Sequence, residues 1–204
     1  MPTRNTNEDL EVGENQYFNY AEIFFQQGVF LPSRKIIIGS PKGDPDGFIN
    51  HQDLSDLTKI LHLLELDSNK LISITLNTGG GNLYDAWGIY DIIRSCRSPV
   101  EILVAGECSS AGTVILQAAD TRLSYKNTMF LIHEPVICST DNSRITPEQS
   151  KTQALDLKRD SERMINFYLD NFKITKKKLL EYLANGQYFD AKEAKKIGLI
   201  DEIL

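Results

Sequence analysis

Three apolar runs, each followed by a loop and then by a helix-like segment, constrain the fold of this chain more than any other feature. They are RKIII at 34–38, LISITLN at 71–77 and VEILVAG at 100–106. Continuous apolar strands that alternate with helices are typical of a parallel sheet covered by helices. In such a sheet the loops at the C-terminal ends of the strands form the natural site. We therefore predict an α/β fold with its site in these loops.

Helical patterns occupy much of the remaining chain. In the first, at 51–66, Leu54, Leu57, Leu61 and Leu64 share one face, which predicts an amphipathic helix. Two further helices are predicted from the glycines at 79–81 to about Ser95 and from about Ser110 to Ala119. A long helix is predicted over 147–172, with Thr146 as its N-cap and Pro147 as its first residue. A shorter helix at 175–184 and a closing helix–strand unit at 191–204 complete the chain.

Size and charge exclude several classes of function. The 204 residues, 41% of them hydrophobic, fit one globular domain, which we expect over 17–204, after a polar and flexible segment at 1–16. Within that domain the aromatic-rich stretch 17–31 is expected to dock on this core or on a neighbouring subunit. The net charge of −6 and the lack of a long basic block argue against nucleic acid as a partner.

The sequence also gives no sign of export or of a metal site. No run approaches the roughly 18 apolar residues that a membrane span needs, so no membrane association is expected. The three cysteines, Cys96, Cys108 and Cys138, have no CxxC spacing and are odd in number. They indicate neither a disulfide framework nor a zinc site, and a reducing cytoplasm suits them.

Two loops carry residues that could act chemically. In GECSSAGTV at 106–114, Ser109 and Ser110 lie at a strand-to-helix turn, where a serine can attack a carbonyl group or can simply cap the helix. In TGGG at 78–81 the glycines free backbone amides to line an oxyanion hole, to cradle a phosphate, or only to make a tight turn. The phosphate alternative lacks a following Gly-Lys-Ser/Thr, and Tyr84 stands where a dinucleotide motif needs glycine.

A histidine completes the set of candidate groups. His133 ends the short strand pattern MFLI, a position where a lone histidine is often structural. A serine, a strand-end histidine and a glycine-rich amide loop are together the parts that acyl transfer requires.

Four stretches in order resemble one family. LNTGGGNLYDAWGIYDIIRS, VEILVAGECSSAGTVILQAAD, MFLIHEP and AKEAKKIGLIDEIL are similar to the proteolytic subunits of the Clp protease, where SPGG, GxAASMG, MIHQP and EAxxYGLID are usual. The resemblance covers about residues 34–204. It implies a crotonase-like ββα spiral (ClpP-like) with the 147–172 helix as a long handle.

The resemblance also implies roles for single residues. Ser110 matches the nucleophile and His133 the general base, while the amides of Gly81 and Ala111 match the oxyanion hole. Neither a cofactor nor a metal is implied. The implied assembly is a homo-oligomer of two stacked heptameric rings that encloses peptide substrates and meets a Clp-type AAA+ unfoldase or a ClpP paralogue.

The chain departs from the family pattern behind the histidine. The catalytic aspartate of the family falls on Gly186 here, and Asn185 stands where the family has an arginine of its ring–ring sensor. Because the aspartate orients the base, its loss leaves three alternatives: a substitute for that role, a Ser/His dyad or a misaligned, inactive site. Asn185, Glu134 and Asp141 are the candidates that the sequence offers.

Three hypotheses for the function follow. The first is a Clp-type serine endopeptidase that cleaves unfolded proteins or peptides inside an oligomeric chamber. The second is a catalytically weak ring subunit that assembles with, or regulates, an active paralogue, which the loss of the aspartate favours. The third is an acyl-CoA hydratase or isomerase of the same fold, which would use the glycine-loop amides but lacks an obvious pair of catalytic carboxylates.

Overall fold

The structure, a computed structural model, describes residues 20, 22–23, 28–39, 47–137 and 145–204. Three of the sequence-based expectations therefore lie outside the described residues. These are the flexible segment at 1–16, most of the aromatic stretch 17–31, and the position of Asp141.

The sheet has the predicted parallel core. Within the described residues the strand order is β1-β2-β3-β4-β5-β8, in which β1 is antiparallel to β2 and the other neighbours are parallel. In addition, β6 pairs in parallel with residues 107–109 at the end of β4, and β7 is antiparallel to β6. The strands are β1 Val29–Phe30, β2 Lys35–Ile38, β3 Ile72–Thr78, β4 Val100–Ser109, β5 Thr121–Ser124, β6 Met129–Leu131, β7 Phe189–Asp190 and β8 Glu202–Ile203.

Helices cover this sheet as expected. They are α1 His51–Asp67, α2 Leu83–Arg94, α3 Ala111–Leu116, α4 Pro147–Asn171, α5 Lys176–Asn185 and α6 Ala191–Lys196. The start of α4 was predicted correctly, because Thr146 and Gln149 form a reciprocal capping box and Pro147 occupies the first helical position. In α1, Leu57, Leu61 and Leu64 are buried, while Leu54 is only half-buried.

The boundary between β4 and α3 differs from the prediction. The strand was expected to end at Gly106 and the helix to begin at about Ser110 and reach Ala119, but β4 continues to Ser109 and α3 ends at Leu116. Two contacts extend the strand. The side chain of Asn77 accepts a hydrogen bond from the Glu107 amide at 3.0 Å, and β6 pairs with residues 107–109. Ser109 is therefore a strand residue, and Ser110 alone forms the turn.

Within the described residues no helix combines the length and the apolar character that crossing a membrane would require.

The hydrophobic core lies between the helices and the sheet, where Ile74, Leu76, Ile102 and Val104 are almost completely buried. The C-terminal ends of β3 and β4 are followed by the two loops in which the site was predicted.

Arg34 is a buried cation that joins three parts of this core. Only 6% of the residue is exposed, and its guanidinium donates to the carbonyl oxygen of Leu64 at 2.7 Å, to Ser98 Oγ at 3.0 Å and to the carbonyl oxygen of Leu71 at 3.3 Å. The Leu64 carbonyl belongs to the last turn of α1 and also accepts a hydrogen bond from the Ser68 amide at 3.3 Å, so the arginine adds a second, shorter donor to it. The arginine therefore satisfies buried main-chain acceptors that apolar side chains could not.

We expect Arg34→Met to lower the free energy of unfolding by about 2–4 kcal/mol, because it removes three hydrogen bonds that the buried guanidinium donates inside the core. Urea denaturation followed by circular dichroism measures the change. Arg97→Met is the control, since the Arg97 side chain is largely exposed near Glu65 and should contribute less than about 0.5 kcal/mol. Equal losses in the two variants would contradict the role given to Arg34.

Candidate active site

Ser110 occupies a strained turn between β4 and α3. Its φ of 51° and ψ of −124° are values that residues other than glycine rarely adopt. The turn is held on both sides, because the Ser110 amide donates to the carbonyl oxygen of Leu131 at 2.8 Å and the Ser110 carbonyl accepts from the Thr113 amide at 3.0 Å. Ser110 stands at the N-cap position of α3, but its side chain makes no capping hydrogen bond, so the alternative that its hydroxyl caps the helix is wrong.

The two adjacent serines have different surroundings. Ser109 is 1% exposed, and its hydroxyl donates to Glu107 Oε1 at 2.6 Å. The same carboxylate oxygen accepts a hydrogen bond from the Tyr188 hydroxyl at 2.8 Å. Ser110, by contrast, lines an open cleft of about 780 Å³. Only the second serine can therefore meet a ligand.

The neighbouring thiol is not a competing nucleophile. Cys108 is completely buried, and this burial, with the nearby negative charge of Glu107, raises the pKa of its thiol far above the ordinary value. A thiol must lose its proton to attack a carbonyl group. Cys108 therefore acts as a small core residue beneath the turn.

The glycine loop after β3 packs directly against this turn. A Cβ on Gly80 would lie 2.7 Å from Ser110 Cβ, and a Cβ on Gly81 would lie 2.3 Å from the carbonyl oxygen of Ile49. Both glycines have positive φ, 113° and 136°. Thr78 fixes the loop from below, because its Oγ1 accepts from the Gly80 amide at 3.1 Å and donates to the Gly47 carbonyl at 2.8 Å. The sequence alternative of a bare tight turn does not account for this contact with Ser110.

A parallel bridge orients the amide of Gly81. The Ile49 amide donates to the Gly80 carbonyl at 2.7 Å, and the Asn82 amide donates to the Ile49 carbonyl at 2.9 Å. In this pattern the residue between the two bonded groups directs its own amide to the opposite side. The Gly81 amide is therefore not used by the bridge to Ile49, and Gly81 lines the cleft that Ser110 also lines.

His133 follows β6, which runs beside the end of β4. Its Nδ1 lies 2.6 Å from the main-chain carbonyl oxygen of Glu134. Gly186 is close behind it, because a Cβ on Gly186 would lie 3.9 Å from His133 Cβ. Gly186 is the residue at which α5 ends, and its amide donates to the carbonyl oxygen of Tyr182. Its φ of 54° lies in the left-handed region, which glycine adopts more easily than other residues.

All four residues proposed from the sequence line the same cleft: Gly81, Ser110, Ala111 and His133. Among the described residues no hydrogen bond joins the Ser110 hydroxyl to His133. Ala111 is the first residue of α3, a position whose amide has no partner within the helix. The cleft is therefore lined by residues that carry a hydroxyl, an imidazole and two main-chain amides.

The far wall of the cleft was not foreseen from the sequence. It comes from one face of α4, which contributes Gln153, Asp156, Leu157, Asp160 and Met164. The Tyr84 hydroxyl donates to Asp160 Oδ2 at 2.8 Å, and this hydrogen bond raises the pKa of Tyr84. The bond ties α4 to the start of α2. The periodicity of α4 predicted a helix but carried no sign of which face would meet the site.

Comparison with known proteins agrees with this architecture. The family model described as Clp protease matches residues 26–204. The chain therefore belongs to the Clp protease family.

Individual relatives and one solved structure resemble the chain over most of its length. The ATP-dependent Clp protease proteolytic subunit of Deinococcus radiodurans is 27% identical over 197 residues, 94% of this chain and 87% of that protein. Subunit 2 of Treponema pallidum is 25% identical over 185 residues, 89% of this chain and 86% of that protein. The structure of a ClpP1 mutant from Listeria monocytogenes superposes with a TM-score of 0.73 at 26% identity, covering 85% of this chain and 92% of that one. The ClpP-like α/β fold expected from the sequence is confirmed.

Proposed function

We propose that this chain is a serine-type peptidase subunit in which Ser110 is the nucleophile and His133 the general base. The observation that carries the proposal is the strained turn at Ser110, which holds its side chain in the cleft with His133. Strain of this kind persists where the surrounding structure enforces it, and it is typical of a nucleophile placed between a strand and a helix.

The proposed reaction has two stages. Ser110 Oγ attacks the carbonyl carbon of a peptide bond while its proton passes to His133 Nε2, and the negative oxygen that forms accepts hydrogen bonds from the Gly81 and Ala111 amides. The carbon–nitrogen bond then breaks, and the proton on Nε2 passes to the leaving amine. Water next attacks the acyl-enzyme and gives its proton to Nε2, which returns it to Ser110 as the carboxylic acid leaves.

The absence of a hydrogen bond between the Ser110 hydroxyl and His133 among the described residues is compatible with this reaction. Catalytic hydrogen bonds are often long without substrate and shorten when substrate enters. The walls that would position a substrate are mainly apolar, including Leu83, Val136 and Met164. An extended peptide has the length and the mixed polarity to follow such a cleft.

The relatives support proposals for the assembly. They are named as proteolytic subunits of an ATP-dependent protease, so we propose that this chain forms stacked rings and receives unfolded chains from an AAA+ unfoldase or works beside a ClpP paralogue. A reducing cytoplasm remains the compartment that suits the free thiols of Cys96 and Cys108.

A second candidate function is a ring subunit with little activity that supports an active paralogue. One observation favours it: the residue beside His133 is Gly186, which brings no acid to the base. An oriented histidine in the cleft favours the peptidase instead. Covalent labelling of Ser110 separates the two candidates.

The experiment is covalent labelling of the intact protein with a fluorophosphonate, followed by digestion and fragment-ion mass spectrometry. We expect one phosphonyl group on Ser110 and none on Ser109, because only Ser110 has an activated hydroxyl in the cleft. Heat-denatured protein is the control and should remain unlabelled. An unlabelled native protein, or an adduct confined to another residue, would contradict the peptidase and would favour the supporting subunit.

A further inference from the structure

The ring of His133 has one close polar partner that the sequence comparison did not suggest. Its Nδ1 lies 2.6 Å from the main-chain carbonyl oxygen of Glu134. A carbonyl oxygen can only accept a hydrogen bond, so Nδ1 must carry the proton. In the neutral ring Nε2 then has its lone pair free, which is the tautomer that a general base needs.

We propose that this main-chain carbonyl is the third member of the catalytic group and replaces the aspartate of the family. The proposal rests on the proposed function for its catalytic meaning. The carbonyl orients the imidazole and fixes its tautomer, but it offers a dipole instead of a full negative charge to the imidazolium that forms. Glu134 is thus a positioning residue through its backbone.

None of the side chains considered from the sequence takes this role in the described part of the chain. Gly186 has no side chain, although it lies beside His133. Asn185, at the end of α5, and the Glu134 side chain are exposed, and no hydrogen bond to the His133 ring is formed by either. The ring therefore has an acceptor from its own strand end, and a residue from α5 is not required.

The residue that follows explains why this carbonyl can hold a fixed direction. Pro135 restricts the backbone of Glu134 to extended conformations, because its ring would clash with the residue before it in a helical conformation. Pro135 also lines the cleft together with His133. The Glu134–Pro135 peptide group is thus a rigid acceptor placed at the mouth of the site.

The test is nitrogen-15 NMR of the full chain with labelled histidine, at a pH where His133 is neutral. His133→Gln assigns the signal among the three histidines. We expect the Nδ1–H tautomer in the wild type and the same tautomer in Glu134→Gln and in Asn185→Ala, since both variants keep the main-chain carbonyl. An Nε2–H tautomer in the wild type would overturn the proposal, and so would a change of tautomer in either variant.

A kinetic arm connects this geometry to the reaction. We expect the rate of fluorophosphonate inactivation of Asn185→Ala to stay within about twofold of the wild type, and a loss of tenfold or more would give the role to Asn185. Circular dichroism confirms that the variant is folded. If the wild type is not labelled at all, the proposed peptidase fails, yet the NMR measurement still decides which ring nitrogen of His133 carries the proton.

Discussion

Ser110→Ala is expected to lower kcat/KM for a fluorogenic peptide by about 10⁴-fold or more, because the variant has no atom that can form the acyl-enzyme. What remains should reflect only binding and the oxyanion amides. The free energy of unfolding should not fall, since the Ser110 hydroxyl makes no capping hydrogen bond. Steady-state hydrolysis and urea denaturation measure the two quantities on the same samples.

Ser109→Ala is the matched control. It removes the hydroxyl that donates to Glu107 and leaves the turn at Ser110 unchanged. A hydrogen bond of this kind contributes about 1 kcal/mol or somewhat more to stability when its partner is charged, while peptide hydrolysis should change little. If Ser109→Ala abolished hydrolysis and Ser110→Ala did not, the assignment of the nucleophile would be reversed.

Gly81→Ala is expected to reduce kcat by about 10²–10³-fold, the effect of losing one oxyanion donor. The added Cβ would lie 2.3 Å from the Ile49 carbonyl oxygen and 2.5 Å from the Ile49 nitrogen. Both are backbone atoms within the bridge, so the loop must move, and its φ of 136° adds strain. The amide that we propose for the oxyanion hole is thereby displaced, and kcat should fall more than KM changes.

Gly88→Ala makes the same chemical change in a place where it should be tolerated. Gly88 lies in α2, and its added Cβ would approach only the end of the flexible Leu54 side chain, at 2.8 Å. Alanine is also the better helix former. We expect near-normal kcat and stability from this variant. Similar losses of kcat in Gly81→Ala and Gly88→Ala would show that the effect of the former is not specific to the oxyanion loop.

Much of the secondary structure could be predicted from local sequence patterns. The capping box at Thr146 and the apolar face of α1 each depend on residues within a few positions of one another. The end of β4 could not be predicted in this way. It depends on Asn77 and on β6, which are distant along the chain, so the local pattern stopped the strand three residues early.

The sequence by itself determined the order of the three central parallel strands and of the main helices, the residue types of the site and the family resemblance that singled out Ser110, because these are properties of spacing and composition. Only the tertiary structure decided the rest. It showed that Ser110 and not Ser109 faces the cleft, that α4 forms the far wall, and that the Glu134 carbonyl is the partner of His133. Such contacts depend on backbone direction and on packing between distant segments, and a main-chain acceptor has no signature in the sequence because every residue carries one.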